Sequence, residues 1–571
     1  MSYQPQYTIT PALLGRIEQI AALRERILAA TVQVRWIPAL QKDTNTIRPT
    51  QLVYPSSTTS LTGRVLYYDY GSSEGMNDLL SRVKSLIDAD GTTHLADYTY
   101  MGLNPIAQVS AAQPGTELTY IKQGSEPVGD GGDQYTGWDR FGRLIDQRWI
   151  QISSGTAFER TQYGYNQASN RLWRANLVAE AMSANQDEHY TYDGLYQLKT
   201  LQRGTLNGTR TGITGTPTWK EDFTFDPTGN WTNYVTEVSG SITLNQPRTH
   251  NKANEIEAIS GSSSLIQENA AGNITKAPLP FNWSSVVNMT YDAWNRLVQA
   301  STTSYSYDGL DRRVNKIVAS TTRRFFYSAQ WQILEERTGS SSGADRQFVW
   351  GLMSLDNLVL RDRGLTRLYA FSDYWNCTGM TNVSGAVQER YGYNAFGQPR
   401  FMTPSFTTVS ASSADWETLY CCYRWDSETG LYQARYRYLH PTLGRWITRD
   451  PKEYINGLNL YMYVKNTPIN FTDPYGLESV DTCNKDLKTL LRTNRKAKKE
   501  LANLKSHHCP DPKPTCTDCS KPGSPCPSTA GACTDPITGQ VYICAGNTNN
   551  AQTLRACFEN GFRQLLPGVG A

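Results

Sequence analysis

Alternating apolar and polar residues dominate the chain from about residue 60 onward. Runs such as YTYDGLYQLKTLQ (190–202), MTYDAWNRLVQA (289–300) and YSYDGLDRRVNKI (305–317) place apolar residues, most of them aromatic, at alternate positions before an Asp and further apolar residues after it. A period of two is that of a strand with one packed face. The Asp and the residues that follow it favour a turn, because Asp, Asn and Gly accept the backbone angles that turns need. Each run therefore predicts a β-hairpin.

The hairpin pattern recurs, with varied spacing, between residues 60 and 413. A single hairpin cannot bury its apolar face alone, so repeated hairpins pack on their neighbours and form an array. This predicts an all-β fold. Residues 109–133, which are rich in Gly, Ser and Thr, are predicted to be a loop between hairpins.

The two ends of the chain differ from this pattern. Apolar residues between Leu13 and Leu28 recur at helical spacing and predict a short helical segment within residues 1–50. Eight of the eleven cysteines lie in residues 478–571, which predicts a small Cys-rich C-terminal domain.

Charge and composition exclude some classes of function. The net charge of +3 over 571 residues gives no reason to expect that the repeats bind nucleic acid. No apolar run approaches the roughly 18 residues that a membrane span needs, and no basic-then-apolar leader is visible. Any export would therefore use a route without a visible signal peptide, unless the true N-terminus lies upstream.

The densest motif runs from Gly430 to Leu477 and reads GLYQARYRYLHPTLGRWITRDPKEYINGLNLYMYVKNTPINFTDPYGL. Its pieces GLYQARYRY, PTLGRW, RDP, GLNLYMYV and DPYGL resemble, in order and spacing, the RHS-repeat-associated core of YD-repeat polymorphic toxins and toxin-complex C subunits. The resemblance implies that the hairpin array spirals into a hollow shell that the core closes. The implied domains are a helical segment (1–50), a YD/RHS repeat shell (60–413), the core (414–477) and a variable Cys-rich cargo domain (478–571).

Two Asp-Pro pairs in this motif have two interpretations. Each can simply begin a tight turn. If folding brings the two carboxylates together, one is protonated and the other ionised, and the pair can act as acid and base. A nearby arginine would hold the base ionised.

The resemblance assigns this second role by position. It implies that Arg437, Asp450 and Asp473 carry out self-cleavage between Leu477 and Glu478, and that Pro474 and Gly476 complete the core motif. The chain has Leu439-His440 where the family usually has Tyr-Asp.

The resemblance also implies a function. The shell would encapsulate or display its C-terminal domain as cargo, a toxin, and release it by aspartate-dependent self-cleavage. Implied partners are this cargo, an N-terminal cap or secretion-system component, and an immunity protein used in interbacterial competition. The alternative is a structural or adhesive cell-surface YD-repeat protein that binds carbohydrate and delivers no toxin.

The C-terminal cysteines leave three possibilities open: a zinc site, a disulfide framework and free thiols. His508, Cys509, Cys516 and Cys519 lie close in sequence and include a CxxC pair, which can bind zinc. An even number of cysteines in an exported protein favours a disulfide framework instead. We predict no cofactor, and the activity of residues 478–571 cannot be derived from their motifs.

Overall fold

The structure is a computed structural model. It describes residues 48–57, 63–103, 105–130 and 132–477, and the backbone of four short strands at Val34–Arg35, Thr515–Thr517, Ala532–Thr534 and Val541–Cys544. Val541–Cys544 pairs with the other two C-terminal strands. The predicted N-terminal helix and most of the Cys-rich domain lie outside the described residues.

The described part of the chain is all-β, as the alternating pattern predicts. Its two α-helices are short, at Met76–Leu79 and Leu177–Ala181. Single 3₁₀ turns lie at Ser263–Leu265, Tyr420–Cys422, Glu453–Asn456 and Val464–Asn466. Neither α-helix has the length and apolar character needed to cross a membrane.

The chain divides into two compact units. One comprises residues 1–115, 302–370 and 380–386. Its strands are Gln51–Val53, Val65–Asp69, Ser85–Ile87, His94–Tyr100, Ile106–Ala111, Thr303–Tyr307, Arg313–Val318, Thr321–Tyr327, Ile333–Thr338, Arg346–Trp350 and Leu358–Arg363. Strands that follow one another pair antiparallel, for example Tyr305 opposite Lys316. Two further strands, Thr366–Asp373 and Asn376–Thr381, contribute residues to both units.

The other unit comprises residues 116–301, 371–379 and 387–571. Its repeat strands are Thr116–Thr119, Asp146–Gln151, Ala157–Tyr165, Arg171–Asn176, Asp187–Tyr192, Leu198–Gly204, Trp219–Phe225, Trp231–Val238, Ser241–His250, Ile256–Ile259, Gln267–Glu268, Ile274–Leu279, Asn282–Tyr291, Leu297–Ala300, Val387–Tyr393, Pro399–Met402 and Thr408–Val409. A separate four-stranded antiparallel sheet follows, at Arg424–Asp426, Leu431–Ala434, Arg437–His440 and Arg445–Trp446.

One turn geometry explains the repeated Asp or Asn. At Asp292 the carboxylate oxygen Oδ1 accepts the backbone N–H groups of Trp294 (2.9 Å) and Arg296 (3.0 Å), and Asn295 between them has φ +62°. We call this five-residue arrangement the YD turn. Its two hydrogen bonds recur at Asp139, Asp193, Asp226, Asn251, Asn269, Asp308 and Asn382. The acidic or amide side chain therefore satisfies backbone donors that the hairpin ladder leaves unpaired.

The tyrosine before the turn links one hairpin to the preceding one. In Asn282–Tyr291 the ladder register shifts at Tyr291, directly before Asp292. The Tyr291 hydroxyl donates to the carbonyl oxygen of Ile274 at 2.6 Å. Equivalent bonds of 2.6–2.7 Å join Tyr165 to Leu144, Tyr192 to Arg171, and Tyr327 to Arg313. Tyr is favoured there because its ring is half-buried while its hydroxyl reaches a backbone acceptor.

The loop prediction for residues 109–133 is wrong in part. The strand Ile106–Ala111 extends into this range, and Thr116–Thr119 forms another strand that pairs with Asp146–Gln151. Leu118 is fully buried opposite Trp149. Packing of a single leucine thus outweighs the Gly- and Ser-rich composition around it.

The segment from Arg424 to Leu477 packs against repeat strands of its own unit. Trp231 donates from its indole nitrogen to Asn466 Oδ1 at 3.1 Å. Arg248, also buried, donates to the carbonyl oxygens of Thr442 and Leu443, each at 3.0 Å. These contacts fix the position of the segment that carries the predicted catalytic residues.

Candidate active site

The site is built on a tight hairpin of the four-stranded sheet. Ala434 pairs with Arg437, so Arg437 is the first residue after the hairpin turn. Its side chain is 3% exposed, and its guanidinium carbon lies 4.5 Å from the ring centre of the buried Trp446. An arginine held flat on an indole keeps its N–H donors in fixed directions.

Arg437 connects the two predicted carboxylates. Its Nη2 lies 3.3 Å from Asp450 Oδ2 and 3.3 Å from Asp473 Oδ2. Both aspartates are buried, with Asp473 only 1% exposed. The three residues that the sequence predicted for one site are therefore brought together, although 36 residues separate Arg437 from Asp473.

Both Asp-Pro pairs also begin turns, as the first sequence interpretation predicts, and the acid–base role of the pair stays a prediction. Asp473 Oδ1 accepts the backbone N–H of Leu477 at 3.1 Å, and Gly476 has φ +67°. Asp450 Oδ1 accepts the N–H of Lys452 at 2.8 Å. Each aspartate thus uses one oxygen for its turn and directs the other to Arg437.

Burial sets the electrostatics of the site. It raises the pKa of Asp473 to about 6, and the neighbouring Asp450 charge adds to this, while Arg437 and the backbone N–H of Leu477 oppose it. Burial lowers the pKa of Arg437, and the two carboxylates counteract part of that change. Asp473 can therefore hold a proton closer to neutral pH than an ordinary aspartate does.

The backbone that precedes the predicted cut lies against these groups. Arg437 Nε donates to the carbonyl oxygen of Gly476. A Cβ atom on Gly476 would lie 2.6 Å from the carbonyl oxygen of Ala434. Glycine is required here both by this close approach and by the positive φ. Leu477 is the last residue described before the cut, and Glu478 lies outside the described residues.

Asn456 is a site residue that sequence reasoning missed. It ends the 3₁₀ turn Glu453–Asn456, and its Nδ2 donates to the carbonyl oxygen of Leu477 at 2.9 Å and to Asp450 Oδ2 at 3.0 Å. Its position six residues after Asp450, directly before a glycine, was the one available sequence signal. That signal by itself is equally typical of an ordinary loop.

Comparisons with known proteins add to this geometry. No protein-family model matches the chain. Over 261 residues the chain is 25% identical to the tRNA3(Ser)-specific nuclease WapA of Bacillus spizizenii, which covers 45% of this chain and 11% of that protein. Over 228 residues it is 28% identical to the toxin subunit YenC2 of Yersinia entomophaga, which covers 36% of this chain and 22% of that protein.

A solved structure shares the fold. The crystal structure of TcdB2–TccC3 matches with a TM-score of 0.55 at 19% identity, over 75% of this chain and 22% of that one. The chain shares the fold of this structure and is similar in sequence to RHS/YD-repeat proteins. It spans less than a quarter of the length of each of these relatives, so their named activities belong to much longer proteins.

His440, at which the chain departs from the family motif, has a structural role. His440 is fully buried, and its Nε2 lies 2.8 Å from the carbonyl oxygen of Pro278. Burial lowers the pKa of His440 to about 4, so the ring is neutral at physiological pH. His440 therefore packs the four-stranded sheet against a repeat strand.

The zinc candidates fall outside the residues whose side chains are described. His508, Cys509 and Cys519 lie outside the described residues, and only the backbone of Cys516 is described. The choice among a disulfide framework, zinc and free thiols stays a prediction.

Proposed function

We propose that this protein forms a shell for its own C-terminal region and releases that region by cutting its chain between Leu477 and Glu478. The observation that carries the proposal is that Arg437 contacts both carboxylates and the Gly476 carbonyl oxygen, while Asp473 accepts the N–H of Leu477. The naming of YenC2 as a toxin subunit supports a toxic cargo in residues 478–571. Such a protein would act outside the cell, with a secretion component and an immunity protein as partners.

The proposed reaction is the hydrolysis of one peptide bond. Asp450 is the base: it takes a proton from a water molecule, whose oxygen bonds to the carbonyl carbon of Leu477. Asp473 is the acid: it gives a proton to the nitrogen of Glu478 as the carbon–nitrogen bond breaks. The products are a carboxyl group on Leu477 and an amino group on Glu478, and one water molecule is consumed.

Arg437 has two tasks in this reaction. Its Nη2 lies 3.3 Å from Asp450 Oδ2, which orients the proposed base. Its Nε–H holds the Gly476 carbonyl oxygen, so the peptide unit before the cut cannot rotate away. The raised pKa of Asp473 supports its assignment as the acid.

Mass spectrometry of the denatured protein tests the proposal directly. We expect one polypeptide that ends at Leu477 and a second that begins at Glu478. If the cargo is enclosed, the two should co-elute in native size-exclusion chromatography and separate in denaturant. A single intact mass after complete folding would contradict self-cleavage and favour the adhesive surface protein.

A further inference from the structure

The side chain of Asn456 contacts the atom on which negative charge would develop during the cut. Its Nδ2 lies 2.9 Å from the carbonyl oxygen of Leu477, within the distance of a normal hydrogen bond. The remaining polar groups of the Gly476–Leu477 unit already have partners, since Arg437 holds the Gly476 carbonyl and Asp473 accepts the Leu477 N–H.

The orientation of the Asn456 amide follows from its surroundings. The oxygen and nitrogen of an amide are easily interchanged in a structure, so their assignment must come from the hydrogen-bond partners. Here the two partners are a carbonyl oxygen, which can only accept, and the carboxylate of Asp450 at 3.0 Å. The NH₂ group must therefore face the site.

The local chain directs Asn456 inward while its neighbours face solvent. Tyr454 and Ile455 are 66% and 80% exposed, whereas Asn456 is half-buried. Gly457 follows with φ +143°, a backbone conformation that a residue with a Cβ rarely adopts. The chain can thus reverse immediately after Asn456 and leave its amide fixed beside Asp450.

We propose that Asn456 is a further catalytic residue of the self-cleavage reaction, one whose N–H stabilises the oxyanion on Leu477. This inference rests on the proposed function. When water adds to the Leu477 carbonyl carbon, the carbonyl electron pair moves to oxygen, and the hydrogen bond from Asn456 becomes a charge-assisted one. When the bond to Glu478 breaks, the electron pair returns and the carbonyl re-forms.

The second hydrogen bond gives Asn456 a positioning task as well. The NH₂ group of Asn456 donates both to Asp450 Oδ2 and to the Leu477 carbonyl oxygen. These two hydrogen bonds hold the proposed base close to the carbonyl group. A water molecule that loses its proton to Asp450 would therefore lie beside the carbonyl carbon of Leu477, which is the atom that it must attack.

The test is a time course of cell-free synthesis of the full chain, quenched in denaturant and analysed for the fragment that ends at Leu477. Asn456→Ala should slow cleavage by about 10²–10³-fold, the usual effect of removing one oxyanion donor. Asn456→Asp has the same shape but no donor, so it should be at least as slow. Asn456→Gln retains the donor and should recover part of the rate. Ile455→Ala, next in the chain and exposed, is the matched control and should cleave like the wild type.

The outcomes separate this inference from the proposed function. If the wild type is not cleaved after Leu477, the proposed function is wrong. If the wild type is cleaved and Asn456→Ala stays within about threefold of its rate, only the role of Asn456 is wrong. A slow Asn456→Ala chain with a lowered melting temperature, beside a normally cleaving Asn456→Asp chain, would show a structural role and would also overturn the inference.

Discussion

Two turns of this protein have similar backbone geometry, but the aspartates that begin them differ in their chemical surroundings. In the YD turn Asp292–Arg296 and in the turn Asp473–Leu477, the first residue accepts the N–H of the fifth residue, at 3.0 and 3.1 Å. The fourth residue has positive φ in both, +62° at Asn295 and +67° at Gly476. The difference lies in the fifth side chain. Arg296 Nε reaches back to Asp292 Oδ2 at 2.7 Å, whereas Leu477 has no donor, which leaves Asp473 Oδ2 to Arg437.

Burial turns this difference into chemistry. In the repeat turn at Asp226, burial also opposes ionisation, but hydrogen bonds from Asn230 and Thr228 outweigh it and lower the pKa. At Asp473 burial is stronger, a second carboxylate is close, and the pKa rises to about 6. The aspartate of a structural turn thus becomes a candidate acid where the carboxylate oxygen that the turn does not use lies in a buried carboxylate pair and not in solvent.

The largest expected effect comes from removing the acid in one turn and not in the other. Asp473→Asn keeps the acceptor for the Leu477 N–H but cannot donate a proton, so cleavage should slow by about 10²–10⁴-fold. Asp292→Asn makes the same change in a repeat turn and should leave the rate unchanged. Gel analysis of the fragment that ends at Leu477 measures both. Equal cleavage in the two variants would remove Asp473 from the mechanism.

The next effect concerns the arginine that each carboxylate uses. Arg437→Met leaves two buried carboxylates without their cation and should lower the free energy of unfolding by about 3–5 kcal/mol. Arg296→Met removes a partly exposed, solvent-screened pair, and about 0–1 kcal/mol is expected. Denaturant titration measures both losses.

The Arg437 result has its own internal check. Adding Asp450→Asn and Asp473→Asn to the Arg437→Met chain should recover part of the lost stability, because the unpaired charges are gone. A triple variant no more stable than Arg437→Met would mean that the arginine acts through packing on Trp446 instead.

The pH dependence of the cleavage rate tests the assignment of Asp473 as the acid. The acid form of Asp473 is present below its raised pKa of about 6 and is lost as pH rises through that value. The cleavage rate constant should therefore fall above about pH 6, by about tenfold per pH unit. It should also fall at low pH, because the proposed mechanism needs an ionised base. A rate constant that stays flat between pH 5 and pH 8 would rule out this assignment of acid and base.

A smaller effect than that of Arg437→Met is expected from the repeat turn itself. Asp292→Ala removes the acceptor for two backbone N–H groups and should cost about 1–2 kcal/mol of unfolding free energy. Asp292→Asn retains Oδ1 and should cost less. Thermal unfolding of the two variants compares them, and an identical loss would mean that the Arg296 ion pair, rather than the turn, carries the effect.

The repeated hairpins and their turns can be predicted from the sequence alone. A YD turn needs an Asp or Asn, a residue that tolerates positive φ three positions later, and a tyrosine before it, and all of these lie within a few residues of one another. The family resemblance of the core motif also named Arg437, Asp450 and Asp473 correctly as neighbours. The Thr116–Thr119 strand was missed because the buried packing of Leu118 is not visible in a Gly- and Ser-rich stretch.

The arrangement of the candidate site depends on tertiary contacts that the sequence pattern does not show. It raises the pKa of Asp473, keeps the buried His440 neutral and brings Asn456 to the Leu477 carbonyl. These properties depend on desolvation and on partners that are distant in sequence, such as Arg437 for Asp473 and Pro278 for His440. A local pattern can specify a turn because its hydrogen bonds close within five residues. The pKa of a carboxylate in that turn depends on the groups that folding packs around it.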